Sequence, residues 1–173
     1  MMEGVILMKD IKVYNLIFPI WLLLFFPPVI FVTLIGNFII DSLVIIICFY
    51  LFKLPSFQYN LKSFYKKSIV KVWLFGFLAD IIGALILYGV GTTSDYSNDL
   101  IFAINYDPFS HYIAVLIIVF AMLVSSFFIF IFNYYFTYKT MIAEKKLKLK
   151  VALTIAIITI PWTFLLPTKW FYE

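Results

Sequence analysis

Two acidic residues stand where an apolar chain can least accommodate them. Asp80 lies inside the apolar run 68–88, and Asp41 inside the longer run 16–52. A charged side chain near the middle of a membrane span costs at least about 2.5–3.5 kcal/mol on insertion scales, so such residues are candidates for function. Asp80 has three available uses: a protonated hydrogen bond to a neighbouring helix, a contact with a partner's basic group, or uptake of a proton or cation, with catalysis as an acid in the same class. No Lys lies at comparable depth to pair with it. Ser125 and Ser126 are the expected hydroxyl partners. Asn37, Asp41 and Ser42 form a second polar group. If Asn37 caps the start of a span, Asp41 sits one turn inside, where the helix dipole favours an acid. The alternative is a functional pair with Asp80, whose expected depth differs by about 9 Å, from six residues of helical rise.

Little else in the chain can do chemistry. The single cysteine, Cys48, sits in an apolar run and reads as a small buried hydrophobe. The single histidine, His111, cannot assemble a histidine-rich metal site. Asp95, Asp99, Asp107 and His111 could offer cation ligands, but their spacing matches no known loop, and solvated surface is the better reading. No nucleophile–base pair or phosphate loop is present, so no catalytic residue, metal or cofactor is expected. The run Gly36-Asn37-Phe38-Ile39-Ile40-Asp41 has one residue more than the first aspartate motif of prolipoprotein signal peptidases, and the GxGD motif of prepilin peptidases is missing. An aspartyl-hydrolase reading therefore rests on the two carboxylates alone.

The elements that must position these residues are membrane helices. Of the 173 residues 65% are hydrophobic and 13% charged, and the mean hydropathy is +1.07. Soluble domains are nearer 45–50% apolar and 25% charged. This excludes a secreted soluble enzyme, a disordered regulator and a nucleic-acid-binding domain. The expected fold is all-α, a single polytopic domain over 1–173 with about five spans near 12–35, 38–53, 70–90, 112–136 and 151–167. The first long run must break, either at Pro27-Pro28 or at Gly36-Asn37; the second is preferred, with the prolines as a kink. In the later spans small residues recur at helical spacing: Gly76, Ala79, Gly83 and Ala84; Ala114, Ala121 and Ser125; Ala152, Ala156, Thr159 and Thr163. Such faces let helices approach closely in lipid. Pro161 predicts a kink in the last span.

All 13 basic residues are Lys. The connections 53–71 and 138–150 are Lys-rich, whereas 89–111 carries only acids. The positive-inside rule then puts the Lys-rich connections and the N-terminus in the cytoplasm and the C-terminus outside. Trp162 and Trp170 are expected at the outer interface, Trp21 and Trp73 at the inner one. The lack of Arg, with abundant Ile, Phe, Asn and Lys, points to an AT-rich genome and the cytoplasmic membrane of a low-GC bacterium. The leading expectation for function is a non-catalytic subunit or accessory component whose partners are the bilayer and a membrane protein or a second copy, with no nucleic acid. The alternatives are a small proton- or cation-coupled transporter or ion-conducting element using Asp80, and an intramembrane aspartyl hydrolase using Asp41 and Asp80.

Overall fold

The computed structural model describes residues 19–25, 27, 29–54, 59–92 and 98–171, and no strand occurs among them. The helices are α1 (Ile20–Leu23), α2 (Val29–Leu51), α3 (Leu61–Thr92), α4 (Asn98–Asn105), α5 (Tyr112–Phe132) and α6 (Lys145–Ile158). A π turn, Asn133–Thr137, prolongs α5, and 3-10 turns lie at Pro108–Ser110, Trp162–Leu165 and Thr168–Phe171. Among the described residues four segments are long and apolar enough to cross a membrane: Val29–Leu51, Leu61–Thr92, Tyr112–Thr137 and Lys145–Leu165. The chain is a small multi-pass membrane protein built as a helical bundle. Its outward faces are apolar, with Val32, Ile35, Leu85, Leu116 and Phe120 all exposed toward the space that lipid would fill.

The first apolar run breaks at the prolines, and α2 passes through Gly36-Asn37 uninterrupted. The expected boundary between spans 12–35 and 38–53 is thereby corrected; residues 12–18 lie outside the described residues. Pro27 and Pro28 carry no N–H, so the Leu23 and Leu24 carbonyls lose their helical donors. The Thr33 hydroxyl replaces one of them, lying 2.9 Å from the Leu24 carbonyl oxygen. A Gly in a helix costs only about 1 kcal/mol relative to Ala and an Asn less. Opening the backbone inside hydrocarbon would leave amides unpaired at several kcal/mol each, so the helix continues. It ends at Lys53, which adopts a left-handed φ of 51° and donates its N–H to Tyr50 at 3.1 Å. Leu54 then folds back into the core, fully buried.

One end of the bundle is packed by Ile45 and Phe49 of α2, Phe64 and Val72 of α3, and Tyr138 and Val151. Phe64 stacks on Tyr138 with ring centroids 5.6 Å apart. The Ala143 N–H donates to the Tyr59 hydroxyl at 3.4 Å, so the two Lys-rich connections meet at this end. At the opposite end Trp21 packs with Leu87, Ile118 and Phe164, and α4 packs on Ala114. The Trp21 indole N–H donates to the Ile104 carbonyl at 3.4 Å. Trp21 therefore belongs to the end that carries Asp99 and Asp107, not to the Lys-rich end where the sequence suggested it. There Lys169 Nζ pairs with Asp107 Oδ2 at 2.6 Å, and His111 caps α5 by accepting the Ile113 N–H at 3.2 Å.

The small faces turn inward as their spacing suggested. Ala79, Gly83 and Ala84 of α3 are buried, as are Ala114, Ala121 and Ser125 of α5 and Ala152 and Ala156 of α6. Gly83 marks the closest approach of α3 and α5: a Cβ there would collide with Ser125 Oγ.

Candidate functional site

On α2, Thr33, Asn37 and Asp41 recur at a spacing of one helical turn and so share one side of the helix. On α3, Gly76, Phe77 and Asp80 do the same. These two stripes face each other across a cavity of about 140 Å³, closed on its third side by residues 158–164 and capped by Leu24 and Phe25. Trp73 holds the two helices in this register, its indole N–H donating to the Leu34 carbonyl at 2.9 Å and its ring packing edge-on to Phe38.

The continuity of α2 carries Asp41 into the same cavity that Asp80 lines. At 1.5 Å of rise per residue, Asp41 is about 15 Å from the end of α2 at Leu51 and Asp80 about 29 Å from the start of α3 at Leu61. The placement of Asp41 beside a helix N-terminus is corrected: Asn37 lies inside α2 and caps nothing. Asp41 is 5% exposed. Its Oδ2 lies 3.9 Å from where a Gly76 Cβ would stand, so the glycine leaves α3 open to the carboxylate. Asp80 is within electrostatic range of Asp41, and its Oδ1 is buried without a hydrogen-bond partner. No Lys or His lines the cavity.

The third wall is a broken helix. α6 stops at Ile158 and the chain resumes as a 3-10 turn at Trp162. Thr159 gives both its N–H and its hydroxyl to the Ile155 carbonyl, each at 2.9 Å, and Ser126 Oγ donates to the Ala156 carbonyl at 2.8 Å. The next carbonyls have no helical donor. Ile157 would take its hydrogen bond from residue 161, a proline without an N–H, and the Trp162 N–H goes to Ile160 at 2.7 Å. The break lies about 14 Å beyond Lys150, inside the membrane-spanning segment Lys145–Leu165 and at the cavity wall. Irregular backbone at that depth is tolerated where it lines a cavity, as it does here.

Of the residues singled out in the sequence, Asn37, Asp41 and Asp80 come together in this cavity. Ser42 does not: its hydroxyl lies 2.6 Å from the Phe38 carbonyl and 2.9 Å from the Tyr65 hydroxyl. Ser126 ties α5 to α6 through the Ala156 bond and is not the partner expected for Asp80. Ser125 is fully buried against Gly83, one turn along α3 from Asp80, and its hydroxyl also has no partner. Asp99 is exposed and Asp107 is paired with Lys169; Asp95 lies outside the described residues. No group of three metal-binding side chains occurs among the described residues. The sequence reading did not connect Thr33, Gly76, Thr159, Pro161 and Thr163 with the aspartates. Their signal was the kink at Pro161 coinciding with a Thr stripe on the last span.

A buried Asp41 and a half-buried Asp80 whose Oδ1 is enclosed, with no facing base, require a neutralising proton or cation, because an apolar interior does not hold unpaired charge. The cavity has room for a few waters or one small ion. No family model matches the chain, and neither a curated protein nor a solved structure matches it.

Proposed function

We propose that the protein is a small ion-handling membrane protein, a carrier or ion-conducting element, in which Asp41 and Asp80 together take up and release a proton or small cation. The observation that carries this reading is the convergence of both aspartates and the broken end of α6 on one cavity, with no basic side chain among its lining residues. Broken helices at the midplane supply ion sites in transporters because their ends present unpaired backbone dipoles. The hydrolase alternative needs space for a scissile bond beside the carboxylates, and a cavity of about 140 Å³ walled by Phe25, Phe77, Phe164 and Trp162 gives little. A purely accessory role supplies no reason for two acids to share a cavity. The Lys-rich end faces the cytoplasm in this reading, and the membrane is the cytoplasmic membrane of a bacterium.

The test is ion flux in proteoliposomes carrying an internal pH-sensitive or Na+-sensitive dye. Wild-type protein is expected to dissipate an imposed ion gradient, and the Asp41→Asn/Asp80→Asn double variant, reconstituted to the same density, to leave the vesicles sealed. Wild-type vesicles as tight as protein-free ones, or a double variant that leaks like wild type, would refute the proposal.

A further inference from the structure

We infer that the ion held at this site is a monovalent alkali cation, with Na+ as the probe, bound among the Asp41 and Asp80 carboxylates and the Ile158 carbonyl at the end of α6. The inference rests on the ion-handling reading and adds the identity of the ligand. Its first support is the donor set. Asp41, Asp80, Asn37, Thr159 and Thr163 line one cavity, and every one of them can offer oxygen. The second support is independent of the acids. The Trp162 N–H is spent on Ile160 and so is lost to the Ile158 carbonyl, its helical acceptor, and Ile158 borders the cavity. The C-terminal end of a helix carries partial negative charge on such carbonyls. A proton-only site needs a titrating carboxyl and no carbonyl dipole; a cation needs both. The third support is the orphaned Asp80 Oδ1, buried at the cavity with no donor to satisfy it.

Charge selects a monovalent ion over a divalent one. The solvation lost on entering an apolar cavity grows with the square of the ion's charge. Divalent ions either keep several waters or take a full shell of oxygens, as Mg2+ and Ca2+ do respectively. One alkali cation with one remaining carboxyl proton leaves the pair neutral. Gly76 keeps the α3 side open for the Asp41 carboxylate, so the ion can be reached from both helices.

The experiment uses the full chain in detergent, with 22Na+ binding and the unfolding temperature measured in NaCl, KCl, choline chloride, MgCl2 and CaCl2 at equal ionic strength. Saturable 22Na+ binding to wild type is expected, with an unfolding temperature that rises with Na+ above the choline baseline. Asp80→Asn should weaken Na+ binding at least about tenfold, since losing a direct ligand costs no less than the roughly 10–100-fold of an outer-shell change at a metal site. Direct 22Na+ binding to wild type needs no variant, so a misfolded substitution does not blunt the test. Absence of saturable 22Na+ binding, a thermal response only to Mg2+ or Ca2+, or full Na+ affinity in folded Asp80→Asn would overturn the inference. If Na+ does not bind while the aspartates still carry proton flux in vesicles, this inference fails and the ion-handling reading survives. If flux and binding are both indifferent to Asp41 and Asp80, both fail.

Discussion

Gly83→Ala is the sharpest available probe of how closely the bundle is packed around the site. The added Cβ would collide with Ser125 Oγ, lie 3.0 Å from the Phe164 ring and 3.2 Å from the Ala121 carbonyl oxygen. Ser125 can rotate away, but a buried aromatic ring and a helix backbone cannot both yield without α3 and α5 moving apart. Overpacking of this kind costs about 1–3 kcal/mol. Replacing Gly by Ala inside a helix returns up to about 1 kcal/mol of helix propensity. The net expectation is a loss of about 1–2 kcal/mol, which for a chain of this size lowers the unfolding temperature by roughly 2–4 °C per kcal/mol. The assay is thermal unfolding of purified protein in detergent, with Gly83→Ala, Ser125→Gly and the pair measured together. Ser125→Gly should restore part of the loss, with a coupling of about 0.5 kcal/mol or more between contacting residues. A Gly83→Ala protein as stable as wild type would refute the claim of closest approach, and purely additive effects would refute contact between Gly83 and Ser125.

Thr33→Val should destabilise by about 1–3 kcal/mol, the cost of leaving a buried carbonyl without its donor, measured by the same unfolding assay; an unchanged protein would mean that the Leu24 carbonyl has another donor. Lys53→Gly should stabilise by up to about 1 kcal/mol, because the left-handed φ at the end of α2 strains a side chain with a Cβ. Asp107→Asn should cost no more than about 1 kcal/mol, less still in high salt, since both members of its pair with Lys169 are partly exposed. In a Cys48→Ala background, an impermeant thiol reagent applied to intact cells should label Phe109→Cys and spare Lys62→Cys and Lys146→Cys; the reverse pattern would invert the orientation.

The sequence made the bundle legible because lipid leaves few options. Composition alone required membrane helices, and the small-residue stripes around Gly83, Ala121 and Ala156 pointed to the faces that are buried. The turn propensity of Gly36-Asn37, which would favour a break in water, does not open α2 in hydrocarbon. In hydrocarbon the missing amides of Pro27-Pro28 decide the break, and an Asn inside a helix does not. That single shift places Asp41 in the middle of a span, not at a helix start, and in the cavity that Asp80 lines. Asp80 itself was conspicuous as an acid without a base at its depth. The third wall was not legible, because Thr159, Pro161 and Thr163 become a site only when α6 is placed against α2 and α3, and one-dimensional spacing carries no information on that packing.

The central claim is that Asp41 and Asp80 act as one site, and a double-mutant cycle addresses it most directly. Unfolding free energies are measured for wild type, Asp41→Asn, Asp80→Asn and the double variant in one detergent and buffer. If the carboxylates share a cavity, the first Asn removes their mutual interaction and the second has none left to remove, so the two effects should depart from additivity by at least about 0.5 kcal/mol. Effects that sum to within about 0.3 kcal/mol, as independent sites do, would contradict it.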